Sequence, residues 1–219
     1  LTDFGYGSDP RQAANSQIVG ALVGNQAWRV GDPALGATLA QTLPPEEGLG
    51  ELVVAGESFI ILQDYYLEDR LFGLGSDLTH FDPISPAFDE VDNYIGSAGL
   101  GRGFFGAYPY GEEERVWTTD GTAAGTRALF PAAGWALPLD AVRSASDWFV
   151  LANVYSDGLN ELQVWRTDGT TAGSSLLTSL PVEADTEGSR IATIPGWVLF
   201  TRRLPEHSPE LWFVPADGG

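Results

Sequence analysis

The chain has 219 residues, of which 30 are acidic and 11 basic, and its formal net charge is −19 at pH 7. An apolar fraction of 43% with seven Trp, seven Tyr and eleven Phe excludes a disordered acidic tail, because such tails lack aromatic residues. The strong negative charge argues against nucleic acid as a partner, since phosphate binding requires a basic surface. Cysteine is absent, which excludes disulfides and thiolate zinc sites. We expect no transmembrane segment, because every apolar run is far shorter than the required ~20 residues.

The sequence repeats around five aromatic anchors. They are spaced by 44, 45, 48 and 47 residues and lie at Trp28, Phe72, Trp117, Trp165 and Trp212. A steady period in the forties indicates one supersecondary unit that is used repeatedly. The clearest copies are the segments 114–130 and 162–177, which share the pattern Trp-x-Thr-Asp-Gly-Thr-x-Ala-Gly, and the other three copies are partial.

Within each period the local pattern predicts short strands. Runs rich in β-branched and aromatic residues lie upstream of the anchors, at 58–62, 104–108, 148–154 and 197–201. Shorter candidate strands precede them at 52–55, 140–143 and 190–193, and others follow the anchors at 126–130 and 174–180. No stretch keeps a helical apolar period over ten residues. Four strands of 4–7 residues in each period predict an all-β chain, a β-propeller of about five four-stranded blades that forms a single domain over residues 1–219.

The two ends of the chain suggest how such a ring closes. The last repeat stops at Gly219, where its hairpin should lead into a fourth strand, and Leu1–Phe4 reads like the other fourth strands. We therefore expect the N-terminal strand to complete the C-terminal blade, which would remove an exposed sheet edge. The alternative is that the chain is a fragment of a larger propeller.

The anchor motif also resembles a known repeat. The stretch Glu-Leu-Trp-x-x-Asp-Gly-Thr-x-x-Gly-Thr, best kept at 117–126 and 165–174, is similar to the ELWxxDGTxxGT repeats of bacterial secreted and cell-surface proteins. The resemblance implies a propeller and a secreted or cell-surface location. It implies no particular activity, because propellers carry enzymes, lectins and scaffolds alike.

Asp120 and Asp168 of the repeated motif are weak candidates for calcium ligands. Calcium takes about six to eight oxygen ligands, whereas each motif copy offers one carboxylate. We favour a structural interpretation, in which each aspartate accepts hydrogen bonds from the backbone that follows while Gly121 and Gly169 allow a positive φ. The five anchors are then structural residues that pack between neighbouring blades.

Binding residues are expected on the more irregular loops. If strands run outward in chain order, the Asp-Gly-Thr turns share one face, and the other face carries the loops 64–69, 108–114, 155–160 and 204–208 with the connections 44–48, 82–92 and 182–187. Varied loops on a rigid scaffold commonly carry binding sites. Together with nearby carboxylates, five tyrosines could bind a sugar or a cationic partner: Tyr65, Tyr66, Tyr108, Tyr110 and Tyr155. The alternative is that these side chains only solvate the loops.

A catalytic role finds weaker support in the residues. Asp64, Asp69, Glu112–Glu114 and Asp157 could in principle flank a glycosidic bond. Three arginines are expected on or near successive inner strands, where they could line an axial pocket: Arg102, Arg143 and Arg190. Ordinary salt bridges to the many acids explain them equally well. No Gly-x-Ser-x-Gly or His-Glu-x-x-His motif occurs.

These observations favour a non-catalytic, secreted or surface-displayed binding or assembly module with protein or glycan partners. A carbohydrate-active hydrolase or lyase with an axial pocket is the first alternative, and a structural subunit of a larger surface assembly is the second. No cofactor is expected, and a Ca²⁺ requirement stays open.

Overall fold

The computed structural model describes residues 11–15, 17–23, 25–30, 36–44, 49–65, 68–96, 99–130, 134–182, 186, 188–202 and 208–218. At residues 11, 12, 49, 50, 64 and 65 the description covers the backbone only. These ranges contain strands and turns, and they include no helix that is long and apolar enough to cross a membrane. The prediction of an all-β chain is confirmed.

The strands form antiparallel meanders in which each strand pairs with the next along the chain. The first contains β1 (Arg11–Ala14), β2 (Val19–Val23), β3 (Gln26–Val30) and β4 (Thr38–Thr42). The second contains β5 (Leu49–Ala55), β6 (Ser58–Tyr65), β7 (Glu68–Gly75) and β8 (Asp82–Pro83). The third contains β9 (Phe88–Gly96), β10 (Gly103–Pro109), β11 (Arg115–Thr119) and β12 (Arg127–Ala128).

Two further meanders complete the described part of the chain. The fourth contains β13 (Trp135–Ser144), β14 (Asp147–Ser156), β15 (Leu159–Thr167) and β16 (Ser175–Pro181). The fifth contains β17 (Ile191–Ile194), β18 (Trp197–Arg202) and β19 (Glu210–Pro215). The expected fourth strand of this last meander, residues 1–4, lies outside the described residues.

All five aromatic anchors fall in third strands, which explains the period of the sequence. Trp28 lies in β3, Phe72 in β7, Trp117 in β11, Trp165 in β15 and Trp212 in β19. In the four meanders with a described fourth strand, the anchor pairs with the residue eleven positions later, namely Leu39, Pro83, Ala128 and Leu176. The hairpin between the third and fourth strands therefore keeps one length although its sequence varies.

The structure differs from the sequence prediction in two respects. Strands of 4–7 residues were expected, but β6 and β7 have eight residues, β9 and β15 nine, and β13 and β14 ten, while β8 and β12 have two. The long strands β13 and β14 pair up to the tight turn that joins them. The connection 82–92 was expected to be an irregular loop, but it contains β8 and the start of β9. Pairing of Phe88 with Asp69 joins β9 to β7, so the second and third meanders form one eight-stranded sheet.

The chain forms two compact units. The first consists of Leu1–Val91, Gly96–Gly103 and Thr119–Thr126, and the second of Asp92–Ile95, Phe104–Thr118 and Arg127–Gly219. The core of the first unit combines residues of the first two meanders and of the turn after β7: Leu22, Ala27, Leu43, Leu52, Val54, Phe59, Ile61, Leu74 and Leu78. β1 lies beside β5 in this unit, so the first strands of two successive meanders are neighbours.

The core of the second unit lies between the fourth and fifth meanders. Its buried residues are Phe149, Leu151, Leu162, Val164, Val182, Ile191, Val198 and Phe200. β13 lies beside β17, which repeats the arrangement of first strands seen in the first unit. Full burial of each such side chain contributes about 1.5–3 kcal/mol to folding, so face-to-face packing of apolar sheets stabilises both units.

Candidate functional site

The Asp-Gly-Thr turns have the same hydrogen bonds in the third and fourth meanders. Asp120 Oδ1 accepts the backbone N–H and the hydroxyl of Thr122 at 3.1 and 2.7 Å. Asp168 Oδ1 accepts the same two groups of Thr170 at 2.8 and 2.7 Å. These are the hydrogen bonds that the turn interpretation predicts. Within the described ranges, no group of three or more His, Asp and Glu residues is placed to hold a metal ion.

The glycines of these turns have the expected conformation. Gly121 has a φ of 89° and Gly169 a φ of 88°, in the region that favours glycine. In each turn the preceding threonine hydroxyl accepts the glycine N–H, with a distance of 3.0 Å from Thr119 Oγ1 to Gly121 N. The turns are therefore well-satisfied hairpin ends.

The aromatic anchors have different surroundings. Trp165 stacks on Phe130, which lies two residues after the last strand of the preceding meander, at a centroid distance of 4.3 Å. The rings of Trp117 and Phe72 stack on Phe105 and Phe81 of their own meanders, at 6.4 and 4.5 Å. Trp212 is 37% exposed, and Trp28 is half-buried in β3. Stacking between neighbouring meanders is therefore seen at Trp165.

The three arginines expected near an axial pocket each have local contacts. Arg143 lies in the first strand β13 with its guanidinium 5.3 Å from the ring of Trp148, and Arg190 directly precedes β17 and donates to Ser189 O at 2.9 Å. Arg102 contacts a different segment. It precedes the second strand β10, and its guanidinium lies 3.7 Å from Asp120 Oδ2, because the β9–β10 connection reaches the Asp-Gly-Thr turn.

Two of the predicted tyrosines meet in the second unit, around Trp135. The indole N–H of Trp135 donates a hydrogen bond to the hydroxyl of Tyr108 in β10. Trp135 is also the direct cross-strand partner of Tyr155 in the β13–β14 pair. Direct partners in an antiparallel pair place their side chains on the same face of the sheet. Tyr155 is 50% exposed, so part of this aromatic group faces solvent.

Carboxylates surround the same aromatic group. Glu113 Oε2 accepts the backbone N–H of Gly134 at 2.7 Å, beside Trp135 in the chain. Glu114 is fully buried, and its carboxyl occupies the space next to Gly106. Burial raises the pKa of Tyr108 above its usual value, and the negative charge of Glu114 raises that pKa further. We refer to Tyr108, Glu113, Glu114, Trp135 and Tyr155 as the aromatic–acidic cluster.

Two tight turns follow the strands β10 and β14, next to the cluster residues Tyr108 and Tyr155. The β10–β11 loop closes with a hydrogen bond from Glu112 N to Pro109 O at 2.9 Å, and Gly111 has a φ of 70°. The β14–β15 hairpin turns at Asp157 and Gly158, whose φ angles of 52° and 79° match a tight hairpin with two positive φ values. Both loops belong to the set that the sequence predicted to carry binding residues.

The remaining predicted tyrosines are Tyr110, Tyr65 and Tyr66. Tyr110 is 53% exposed in the turn after β10. The backbone of Tyr65 pairs with Glu68 at the end of β6, and Tyr66 lies outside the described residues. Sequence reasoning missed Trp135. Its one available signal was an aromatic residue that follows Pro-Ala-Ala-Gly, five residues before the first strand predicted at 140–143.

Comparison with known proteins shows the fold only. No family model and no curated protein matches the chain. It is similar to the protein assigned as TolB from Agrobacterium tumefaciens, with 14% identity, a TM-score of 0.49 and coverage of 97% of this chain and 78% of that chain. A nidogen–laminin complex matches with 12% identity, a TM-score of 0.45 and coverage of 88% and 71%.

A third solved structure matches with a higher TM-score. The β-propeller part of a prolyl endopeptidase has a TM-score of 0.56 and 9% identity, over 94% of this chain and 35% of that chain. The chain therefore spans about a third of the endopeptidase. At this identity the likeness supports a propeller-type fold of four-stranded antiparallel sheets and carries nothing about activity.

Proposed function

We propose that this protein is a non-catalytic binding module whose protein or glycan partner contacts the aromatic–acidic cluster. One observation carries the proposal: the end of β10, the β10–β11 loop, the start of β13 and the end of β14 bring three aromatic rings and two carboxylates together. Aromatic side chains with a polar tip are common in binding surfaces because they combine a large apolar area with hydrogen-bonding groups. The β-propeller likeness is consistent with such a module.

We also propose that the protein is secreted or displayed at the cell surface. The support is the similarity of its motif to the repeats of bacterial secreted and cell-surface proteins. The absence of cysteine is compatible with this location, because the sheets are stabilised by apolar packing. Detection of the protein in the culture medium or on intact cells of the source organism would test the location.

The binding role is tested by screening the purified chain against a glycan array, with and without Ca²⁺, and against surface-displayed proteins. Every partner found is then measured with the variant Tyr155→Ser. We expect a clear loss of affinity, because the variant removes the half-exposed ring of the cluster. Leu39→Ser is the matched control, since it removes a side chain that is 46% exposed in β4. Equal affinity of Tyr155→Ser and the control would contradict the proposal.

We retain the five-bladed ring as a proposal about the fold. The spacing of eleven residues between anchor and fourth-strand partner, constant in four meanders, supports equivalent units, and the anchor spacing extends the repeat to the fifth. If residues 1–4 supply the missing fourth strand, replacing both Leu1 and Phe4 with Asp should lower the denaturant midpoint. Ser8→Asp adds charge to the same segment and serves as the control. A midpoint that is unchanged in both variants would reject the closure.

A second candidate function, a structural subunit of a larger assembly, is supported by the exposed apolar face of the fifth meander. Four large side chains of this face are between 40% and 67% exposed: Ile194, Trp197, Leu211 and Phe213. Exposed apolar patches commonly mark interaction sites. Each copy carries a charge of −19, so copies can approach closely only through uncharged surfaces such as this face. Light scattering should show a dimer that Phe213→Ser converts to a monomer, and a monomeric wild-type protein would reject this role.

A further inference from the structure

We propose that the aromatic–acidic cluster binds an arginine side chain of a protein partner. This inference rests on the binding role proposed above and specifies its ligand. The cluster combines the rings of Trp135 and Tyr155 with the exposed carboxylate of Glu113, and the buried Glu114 adds negative charge beside Tyr108. Aromatic faces attract cations through the negative charge of the ring face, and carboxylates add a charge-assisted hydrogen bond.

In the fifth meander, an indole ring and a carboxylate together bind an arginine of this same chain. The guanidinium of Arg202 lies 5.5 Å from the ring centroid of Trp212. Its Nη2 and Nε atoms donate to Glu210 Oε2 at 2.7 and 3.1 Å. The indole N–H of Trp212 donates to the same oxygen at 3.0 Å. A tryptophan and a glutamate therefore hold one arginine here from two directions.

A second arginine of the chain also packs against a tryptophan ring. The guanidinium of Arg143 lies 5.3 Å from the ring centroid of Trp148, its cross-strand partner. In the aromatic–acidic cluster the partner of Trp135 across the strands is Tyr155, so an aromatic ring occupies the position that an arginine holds at Trp148. Arg115, the first residue of β11, lies 2.8 Å from Glu112 of the adjoining loop. The guanidinium proposed for the cluster is therefore that of a partner protein, which would pack against Tyr155 and Glu113.

The charge of the cluster favours a cation over a neutral sugar. Glu113 and Glu114 lie on the β10–β11 loop, and Asp92 is close enough to affect Tyr108 electrostatically. Arginine suits such a site better than lysine, because its planar guanidinium can stack on a ring while donating to a carboxylate. A flexible, arginine-bearing loop or tail is therefore the kind of partner segment that fits.

The test uses the full chain, ¹⁵N-labelled, and three synthetic peptides with the sequence acetyl-Gly-Gly-X-Gly-Gly-amide. X is arginine, lysine or citrulline, the neutral analogue of arginine. The indole N–H signal of Trp135, identified by its loss in Trp135→Phe, reports on the cluster. We expect the arginine peptide to shift this signal with a dissociation constant on the order of 1 mM, and the lysine peptide to bind several-fold more weakly. The citrulline peptide should cause no shift.

Two variants make the test specific. Glu113→Gln keeps an acceptor for Gly134 N–H but removes one charge, and it should weaken binding of the arginine peptide by about three- to tenfold. Glu51→Gln removes the same charge at an exposed position in β5 and should leave the affinity unchanged. Tyr155→Leu, which keeps an apolar side chain but removes the ring, provides a second variant if Glu113→Gln does not fold.

The outcomes separate this inference from the binding role itself. Equal shifts with the arginine and citrulline peptides would overturn it, as would equal weakening by Glu113→Gln and Glu51→Gln. A glycan that binds in a Tyr155-dependent way while the arginine peptide does not bind would overturn the arginine inference and leave the binding role intact. If no partner from the glycan or protein screens depends on Tyr155 and the peptide does not bind, both proposals fail.

Discussion

The carboxyl group of Asp120 lies directly against the Cα of Gly125, in the space that a Cβ at this position would occupy. Asp168 and Gly173 have the same relationship in the next meander. This contact explains why the repeat keeps a second glycine five residues after its aspartate. The aspartate can accept the hydrogen bonds of the turn only while that glycine has no side chain.

Alanine at this second glycine should destabilise the protein. Gly125→Ala forces the Asp120 carboxyl away from Thr122, and we expect a loss of about 1–3 kcal/mol in the free energy of unfolding. Gly99→Ala is the matched control, because a Cβ at Gly99 meets nothing within 4 Å. Chemical denaturation measures both variants. A Gly125→Ala protein as stable as the Gly99→Ala control would show that the contact is not important.

The second meander keeps the same turn with a leucine in place of the glycine. Asp77 Oδ1 accepts the N–H and the hydroxyl of Thr79 at 3.2 and 2.7 Å, as in the other turns. Leu78 stands where the other turns have glycine and has a φ of 65°, although its side chain is fully buried in the first core. Burial of the leucine thus offsets a backbone conformation that costs about 1–2 kcal/mol.

Leu78 should therefore reverse the usual order of alanine and glycine substitutions. Both Leu78→Ala and Leu78→Gly lose the buried side chain, but only glycine also relieves the positive φ. We expect Leu78→Gly to be more stable than Leu78→Ala by about 1 kcal/mol. At Leu74, a fully buried strand residue, alanine should be the more stable substitution. The same order at both positions would contradict this explanation.

Alkaline pH should reveal the environment of Tyr108. Its pKa is raised above the usual value of 10.0 by burial and by Glu114. From about pH 10 upward the unfolded chain loses this proton while the folded chain keeps it, so the free energy of unfolding falls as pH rises. Tyr108→Phe removes this contribution and should make the decline less steep. Tyr110→Phe, at an exposed tyrosine, is the control, and identical slopes in both variants would reject the assignment.

Salt should raise the thermal stability of the protein. A net charge of −19 makes the folded chain repel itself, and dissolved ions screen that repulsion. We expect the melting temperature to rise with NaCl and with CaCl₂. Comparing the two salts at equal ionic strength separates screening from binding, since a larger rise with Ca²⁺ would indicate a calcium site. An unchanged melting temperature in both salts would contradict the prediction.

The repeat and the strand order could be read from the sequence, because both depend on local patterns. The spacing of the anchors identified third strands from Trp28 to Trp212, and the Asp-Gly-Thr pattern predicted the turns. β-branched and aromatic runs identified the second strands in the same way. The motif contains its own turn hydrogen bonds, so no distant residue was needed to recognise it.

The remaining features depend on contacts between distant segments, and for this reason the sequence did not show them. Pairing with the distant strand β7 places β8 and the start of β9 in a segment that was predicted to be a connection. The ion pair of Arg102 with Asp120, which is 18 positions away in a turn, leaves no local sequence pattern. Trp135 was missed because its role comes from pairing with Tyr155 and from its hydrogen bond to Tyr108, and neither contact leaves a local sequence pattern.

Hydrogen exchange, measured with and without a partner from the glycan or protein screens, tests most directly where this protein binds. The proposed function predicts that the partner slows exchange in residues 108–114, 134–135 and 155–159, which carry or flank the aromatic–acidic cluster. It also predicts unchanged exchange in the Asp-Gly-Thr turns at 119–126 and 167–174. Protection of those turns, with no protection around Trp135, would contradict the account.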